Sequence, residues 1–179
     1  KRENKQHVLQ LIRKQAPISR AETAQRTGLN KGTVSSLVAE LIEENLILEI
    51  GPGESSGGRT PVMLHFHSTS AYAIGVDIGV NSLLAVLTDL EGSIIFKRRE
   101  PLSETQYDDV LSMLNEMITS LRNEVPSSTY GIIGIGVGVP GVVSNEGKII
   151  RAPNLHWKNI DIKKHLEQLT QLPIWVDNE

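Results

Sequence analysis

Short polar side chains follow one another between Lys31 and Ser36, in the sequence KGTVSS. The hydroxyl groups of Thr33, Ser35 and Ser36 can form hydrogen bonds with base edges or phosphates, and Lys31 can pair with a phosphate. Side chains this short would allow a helix to approach base edges in a DNA major groove. The same residues could equally form the solvated face of a small helical hairpin, so the surrounding elements decide between the two.

The residues on either side of this segment predict a helix-turn-helix. Ser19 and Glu22 have the spacing of a capping box at the start of one helix, and Gly28 suits the C-terminal cap of that helix. Asn30 can cap a second helix that starts at Lys31. In the second helix apolar residues recur at helical spacing and would pack inward, namely Val34, Leu37, Val38, Leu41 and Ile42. The opposite, polar face is then left for a partner.

A glycine-rich loop follows the two helices. Two apolar runs, residues 46–50 and 62–66, are expected to be strands, and GPGESSGGRTP separates them. After a helix-turn-helix such a hairpin forms a wing, and Arg59 near its tip would lie along a phosphate or enter a minor groove. A surface loop with an incidental arginine is the alternative. With a helix over 2–14, these elements predict a winged helix-turn-helix domain over residues 1–67.

Charge is distributed unevenly along the chain. Residues 1–67 contain nine Lys and Arg against seven Asp and Glu, whereas the remaining residues contain nine against fourteen. A mildly basic head suits nucleic acid. The absence of cysteine excludes disulfides and Cys-ligated metal sites within the chain and fits a reducing compartment. There is neither an apolar run of membrane-spanning length nor a signal peptide, so we expect a cytoplasmic protein.

The remainder of the sequence predicts a mixed sheet with helices. An antiparallel meander is expected first, with strands at 72–79, 82–87 and 93–98. Ser103 and Gln106 can form a capping box for a helix that ends near residue 122. A hairpin over 142–150, a helix over 160–169 and a strand over 174–176 close the series. The expected fold class is therefore α+β or α/β.

The segment GIIGIGVGVPG, residues 131–141, gives the strongest strand signal. Apolar residues at 133, 135, 137 and 139 alternate with glycines, so one face should pack and the other has no side chains. Either a packed helix or a ligand would lie against the bare face. The ligand would be expected at the end formed by Pro140 and Gly141, where α/β sheets usually bind.

Several short motifs occur in an order that resembles a known family. Asp77-Ile78-Gly79 at the end of a strand is similar to the phosphate-binding opening of actin-like sugar kinases. Together with GVGVPGVV, APNLHW and the terminal VDNE, it resembles the ROK family of repressors and sugar kinases. A winged helix ending in SSGGRTP and joined to such a domain is similar to the transcriptional branch of the family. The resemblance implies an actin-like (ribonuclease H-like) ROK half-domain with a mixed sheet over residues 72–179.

The resemblance also implies a sugar site. Amide groups and a carboxylate would pair with sugar hydroxyls there, contributed by Pro140, Gly141, Asn154, Asn178 and Glu179. Asn154 and Asn178 could otherwise be turn or strand-end residues. His156 and Trp157 could stack near the sugar, although a capping aromatic is the commoner arrangement.

The same resemblance implies a degenerate phosphate site at Asp77 and Gly79. Kinases of the family usually continue this motif with Gly-Thr-Lys, whereas Val80, Asn81 and Ser82 stand here. Glu179 occupies the position of the aspartate that serves as the general base in those kinases. These departures favour a binding domain without catalytic residues.

The resemblance thus implies a repressor of sugar-utilisation genes, whose affinity for a double-stranded DNA operator changes when xylose or glucose binds. A homodimer is expected. The alternatives are an ATP-dependent ROK hexokinase or glucokinase with an appended DNA-binding head, and a helix-turn-helix used for protein contacts. We expect no metal and no cofactor in this chain, because the family's zinc site would lie beyond residue 179 or be absent. The chain ends look cut, and with one lobe of the sugar cleft we expect DNA binding without a sugar response.

Overall fold

A computed structural model describes residues 2–52, 61–103 and 105–178 of the 179-residue chain. The chain divides into two compact units, Lys1–Ser68 and Thr69–Glu179. None of the helices in the described ranges is long and apolar enough to cross a bilayer.

The first unit combines three helices with a small antiparallel sheet. The helices are α1 (Arg2–Gln15), α2 (Arg20–Thr27) and α3 (Lys31–Glu43), and the strands are β1 (Ile18–Ser19), β2 (Ile47–Pro52) and β3 (Val62–Phe66). β3 lies between β1 and β2. The core contains the predicted stripe of α3 together with Val8 and Ile12 from α1. The predicted winged helix-turn-helix is confirmed, with β1 as an element that the sequence did not reveal.

The second unit is built on a five-stranded mixed sheet. Its strands are β4 (Tyr72–Ile78), β5 (Ser82–Asp89), β6 (Ile94–Pro101), β7 (Ile132–Val139) and β11 (Ile174–Asn178), in the order β11-β7-β4-β5-β6. β4, β5 and β6 form the predicted antiparallel meander, whereas β7 is parallel to both β4 and β11. The mixed sheet is therefore confirmed.

Two helices and a small second sheet complete this unit. The helices are α4 (Tyr107–Asn123) and α5 (Ile162–Thr170), and the strands β8 (Val142–Val143), β9 (Ile149–Ala152) and β10 (Trp157–Ile160) form the small sheet. The helical stripe of α4 packs in one core with the inward residues of β4, β5 and β7. The predicted stripe is buried, with Val110, Leu114, Met117, Ile118 and Leu121 at most 1% exposed.

The predicted capping box at Ser103 is wrong. α4 begins at Tyr107, and Gln106 occupies the cap position without a side-chain hydrogen bond. Leu102 is buried, and its amide donates to the carbonyl of Asn81 at 2.9 Å. This contact holds the chain beside the β4–β5 hairpin, so the helix starts later than the local spacing indicated.

The predicted alternation in β7 fails at its first residue. Ile135, Val137 and Val139 are at most 3% exposed, but Ile133 is 48% exposed. The pairing of β4 with β7 is irregular here, because Tyr72 pairs with Ile132 and Ile74 pairs with Ile135. Between these two pairs β7 has two residues, Ile133 and Gly134, whereas β4 has one. This extra residue takes Ile133 out of the alternation of buried residues.

The glycine face of β7 is covered in part by a side chain. A Cβ placed on Gly134 would collide with the indole ring of Trp175 on the neighbouring strand. At Gly136 no described atom lies within 4 Å of such a Cβ. At Gly134 the close neighbour is therefore a tryptophan and not a packed helix, and the ligand expected at Pro140 and Gly141 stays a prediction.

Candidate nucleic-acid interface and sugar site

Three local caps fix where α2 begins, where it ends and where α3 begins. The Ser19 side chain accepts a hydrogen bond from the amide of Glu22 at 3.2 Å, and the Glu22 carboxylate in turn accepts from the Ser19 amide. Gly28 has φ +71°, the left-handed conformation that ends α2. Asn30 Oδ1 accepts from the amide of Thr33 at 2.7 Å and begins α3. The predicted helix-turn-helix geometry is thus fixed by its own sequence.

The predicted reading residues share one surface of α3. Lys31, Ser35 and Ser36 are exposed and Thr33 is half-buried. The opposite stripe of α3 is buried, since Val34, Leu37, Val38 and Leu41 are at most 2% exposed. The burial of one face leaves the other face, with its hydroxyl groups, directed toward solvent.

α1 adds a residue to this surface that the sequence did not single out. Asn4 lines an open cleft of about 500 Å³ together with Gly32, Thr33, Ser36 and Leu37. An asparagine amide can both donate to and accept from base edges or phosphates. The signal was present in the spacing, because Asn4 precedes the buried Val8 by four residues and so shares its side of α1.

Both strands of the wing, β2 and β3, lie within the described residues. β2 and β3 pair in antiparallel register, with Leu48 opposite His65 and Ile50 opposite Met63. Arg20 Nη2 lies 2.5 Å from Glu49 Oε1, which connects the start of α2 to β2. Arg59 lies outside the described residues, so its contact with DNA stays a prediction.

Acidic side chains near the end of α3 are held by a lysine of α1. Lys5 Nζ lies 2.6 Å from Glu44 Oε1 and 3.6 Å from Glu40 Oε2. The hydrogen bond with Glu44 raises the pKa of Lys5, so its ammonium group stays charged. The two carboxylates are therefore locally compensated.

Three of the predicted sugar residues, Pro140, Gly141 and Asn178, stand at the ends of two neighbouring strands of the main sheet. Asn178 of β11 pairs in register with Val139 of β7, directly before Pro140 and Gly141. These residues lie at the carboxyl ends of parallel strands, the usual position of a binding crevice. Asn178 is exposed, and Glu179 lies outside the described residues.

Gly141 has a packing reason for being glycine. A Cβ there would collide with the carbonyl oxygen of Arg151 and lie 2.9 Å from Cα of Ala152. β9 therefore lies against this glycine, and the exposed Asn154 follows β9 in a short 3-10 helix. The sequence motif at Gly141 thus serves the fold, and its role toward a sugar stays a prediction.

A row of three residues crosses the sheet beside this edge. Asp77 of β4 and Asp177 of β11 both pair in register with Gly138 of β7, one on each side. Asp177 was not among the predicted residues, although it stands within the VDNE motif. Two carboxylates flanking a residue without a side chain could bind hydroxyl groups or a cation.

The two residues of the predicted degenerate phosphate site have different surroundings. Asp77 Oδ1 is buried and has no hydrogen-bond partner among the described residues. The amide of Gly79 donates to the carbonyl of Ser82 at 3.0 Å and closes the β4–β5 turn. This amide is therefore engaged inside the hairpin.

Trp157 belongs to the core of the second unit. It is 4% exposed, its Nε1 donates to the carbonyl of Thr105 at 2.7 Å, and its ring meets that of Tyr107 edge-on. His156 is exposed in a left-handed conformation. Trp157 is thus a capping aromatic and does not stack on an open sugar site.

Across the described ranges, no group of three or more His, Cys, Asp and Glu has the arrangement of a metal site.

Comparison with known proteins assigns both units. A model of winged helix-turn-helix DNA-binding domains matches residues 1–47. The xylose repressor of Bacillus spizizenii is 44% identical over 179 residues, which are 100% of this chain and 47% of the relative. The chain spans about half the length of the curated relatives it matches.

Solved structures agree with this fold. A ROK family transcriptional regulator, described as a homologue of the E. coli MLC protein, matches with a TM-score of 0.75 and 26% identity over 98% of this chain and 45% of its own. A ROK family glucokinase from Streptomyces griseus matches 60% of this chain and 33% of its own, with a TM-score of 0.53 and 24% identity, which shows a shared fold. A model of the ROK family matches residues 73–179, more than half of the sequence, and the chain therefore belongs to the ROK family.

Proposed function

We propose that this chain is part of a sequence-specific transcriptional repressor of sugar-utilisation genes, which binds an operator through the first unit and a sugar through the second. The observation that carries the proposal is the exposed polar face of α3, held by the caps of a helix-turn-helix. Relatives named xylose repressors match the whole chain, which makes xylose the first effector to test and glucose the second.

The first half of α3 is the part suited to the major groove. Its side chains there are short or cationic, whereas Glu40 and Glu43 in the second half would be repelled by phosphates. Arg59 in the wing would add a contact to the backbone or the minor groove. A homodimer would present two such helices to half-sites about 34 to 36 Å apart, so we expect an operator with two-fold symmetry. Such a repressor would act in the cytoplasm.

The proposed docking is tested by gel-shift titration on operator variants. Replacing Ser35 or Ser36 with Ala should change base preference, because it removes a hydroxyl group that can form a hydrogen bond with a base edge. Arg59→Ala should weaken binding to all sequences and reduce the salt dependence by about one phosphate contact. Ser112→Ala, on the exposed side of α4, is the control and should change neither property. Unchanged binding in Ser35→Ala, in Ser36→Ala and in Arg59→Ala would refute this docking.

The sugar-kinase alternative is less well supported. The amide of Gly79 is engaged in the hairpin turn, and Val80, Asn81 and Ser82 replace the Gly-Thr-Lys of ROK kinases. Glu179 in place of Asp carries the same charge on a longer side chain, and a displacement of about 1 Å can reduce a rate by about a hundredfold. We therefore propose a sugar-binding domain without catalysis, in which Pro140, Gly141, Asn154, Asn178 and Glu179 contact the sugar.

Absence of DNA binding at low salt would instead favour a helix-turn-helix that serves protein contacts.

A further inference from the structure

The ion pairs of Lys5 lie beside the proposed reading helix. Lys5 precedes Val8 and Ile12 by three and seven residues, so it continues their buried stripe on α1 toward its first turn. This position directs its ammonium group to the end of α3. There it contacts Glu44 at 2.6 Å and Glu40 at 3.6 Å.

The end of α3 carries an unusual concentration of negative charge. Glu40, Glu43 and Glu44 fall within five residues, and the last turn of the helix, ELIE, contains no basic residue. The C-terminal end of a helix already has a partial negative charge from its dipole. Carboxylates at this position are thus unfavourable for the helix itself and for any contact with phosphates.

These charges are close enough to influence the reading segment. Glu40 follows Ser36 by four residues, a separation of about 6 Å along the helix axis. The Debye length at physiological ionic strength is about 8 Å, so phosphates beside Ser36 would experience the charge of Glu40.

Stability alone does not explain the arrangement. The side chains of Lys5, Glu40 and Glu44 are 23%, 31% and 44% exposed. Ion pairs between groups this exposed contribute little to folding stability. A cation placed between two carboxylates also makes the electrostatic potential around them less negative.

We propose that Lys5 is a charge-masking residue of the DNA interface, which lowers the repulsion between α3 and DNA without touching DNA. It positions its ammonium group between Glu40 and Glu44, so the second half of α3 presents less negative charge to the phosphates. The inference rests on the proposed function, because it concerns the affinity of that same interface.

The test is operator binding by variants of the full chain at low salt. Lys5→Met keeps the aliphatic stem and removes the charge, and it should reduce affinity about three- to tenfold. Lys5→Arg should preserve affinity. Lys97→Met removes one charge from the exposed part of β6 and should change affinity less than twofold.

The decisive variant combines Lys5→Met with Glu40→Gln and Glu44→Gln. If Lys5 acts by masking, this triple variant should bind at least as tightly as the unmodified chain. The double variant Glu40→Gln, Glu44→Gln keeps Lys5 and should bind more tightly than the triple variant, because it carries one more positive charge. Circular dichroism checks that each variant is folded.

Two results would overturn the inference while leaving the proposed function intact. One is operator binding that is unchanged in Lys5→Met, and the other is a triple variant as weak as Lys5→Met, which would mean that Lys5 contacts phosphate directly. If the unmodified chain does not bind DNA at low salt, the proposed function itself fails, and the inference with it.

Discussion

Replacing Gly32 with Ala should have opposite effects on the stability of the first unit and on the proposed operator binding. A Cβ on Gly32 would meet Asn30 Oδ1 at 3.4 Å, an ordinary van der Waals distance, so the fold accepts alanine there. Gly32→Ala should stabilise the first unit by about 0.4–1 kcal/mol, because alanine has fewer conformations than glycine to lose when the chain folds. It should also weaken operator binding, because Gly32 lines the cleft shared with Asn4 and an added methyl group would keep a base or a DNA backbone farther from the helix.

Thermal unfolding and gel shifts on the same samples measure the two effects. Gly136→Ala is the matched control, since Gly136 is exposed in the second unit and has room for a Cβ. It should leave operator binding unchanged. A Gly32→Ala chain that binds DNA as tightly as the unmodified chain would show that no base or backbone approaches this glycine.

Single residues also show what local spacing could predict. Ser19, Gly28 and Asn30 act on amides or dihedral angles within three residues of themselves, so their roles were evident in the sequence. The collision at Gly141 involves Arg151 and Ala152, ten or more residues away. A glycine required by such a contact looks the same in sequence as one that faces a ligand.

At the scale of elements, a tyrosine–histidine contact connects α4 and α5. Tyr107 Oη lies 2.6 Å from Nδ1 of His165. Burial, followed by the charges of Asp108 and Asp161, raises the pKa of Tyr107 above its usual value of about 10. The unfolded chain ionises this tyrosine at lower pH than the folded chain does. The stability of the second unit should therefore be retained below pH 10 and fall as pH rises above it.

Tyr107→Phe tests this contact. The variant should lose about 1 kcal/mol of stability at pH 7, because the hydrogen bond to His165 is removed. It should also be less sensitive to alkaline pH than the unmodified chain. Urea unfolding at pH 7 and pH 10.5 measures both effects, with Tyr130→Phe as an exposed control. An equal loss of stability with pH in Tyr107→Phe and in the unmodified chain would contradict the assignment.

Long periodic elements were predictable, whereas their ends and irregularities were not. The stripes of α3 and α4 span two or more helical turns, so the burial pattern dominates their sequences. β1 has two residues and exists because Ile18 and Ser19 pair with Leu64 and Met63. The late start of α4 and the exposure of Ile133 likewise depend on contacts with distant strands. Such contacts leave no periodic signal.

At the scale of the whole molecule, the two functional hypotheses differ in whether phosphoryl transfer occurs. The full-length protein given ATP, magnesium and xylose or glucose should form no sugar phosphate above background, because the amide of Gly79 is engaged in the hairpin turn and Val80, Asn81 and Ser82 follow it. A coupled assay for ADP release and direct detection of sugar phosphate measure this. A kinase with ordinary turnover works at about 1–100 per second, so turnover near one per second would establish the kinase alternative.

The positions of the two tryptophans make one half of the molecule visible by fluorescence. Trp157 is 4% exposed and Trp175 is 62% exposed, and both belong to the second unit. Tryptophan emission thus reports on the second unit, while the first unit is silent at these wavelengths. A soluble quencher would reach Trp175 and spare Trp157. Because Trp175 lies two residues before Asp177, its emission can test the proposed sugar binding by the full-length protein at that edge of the sheet.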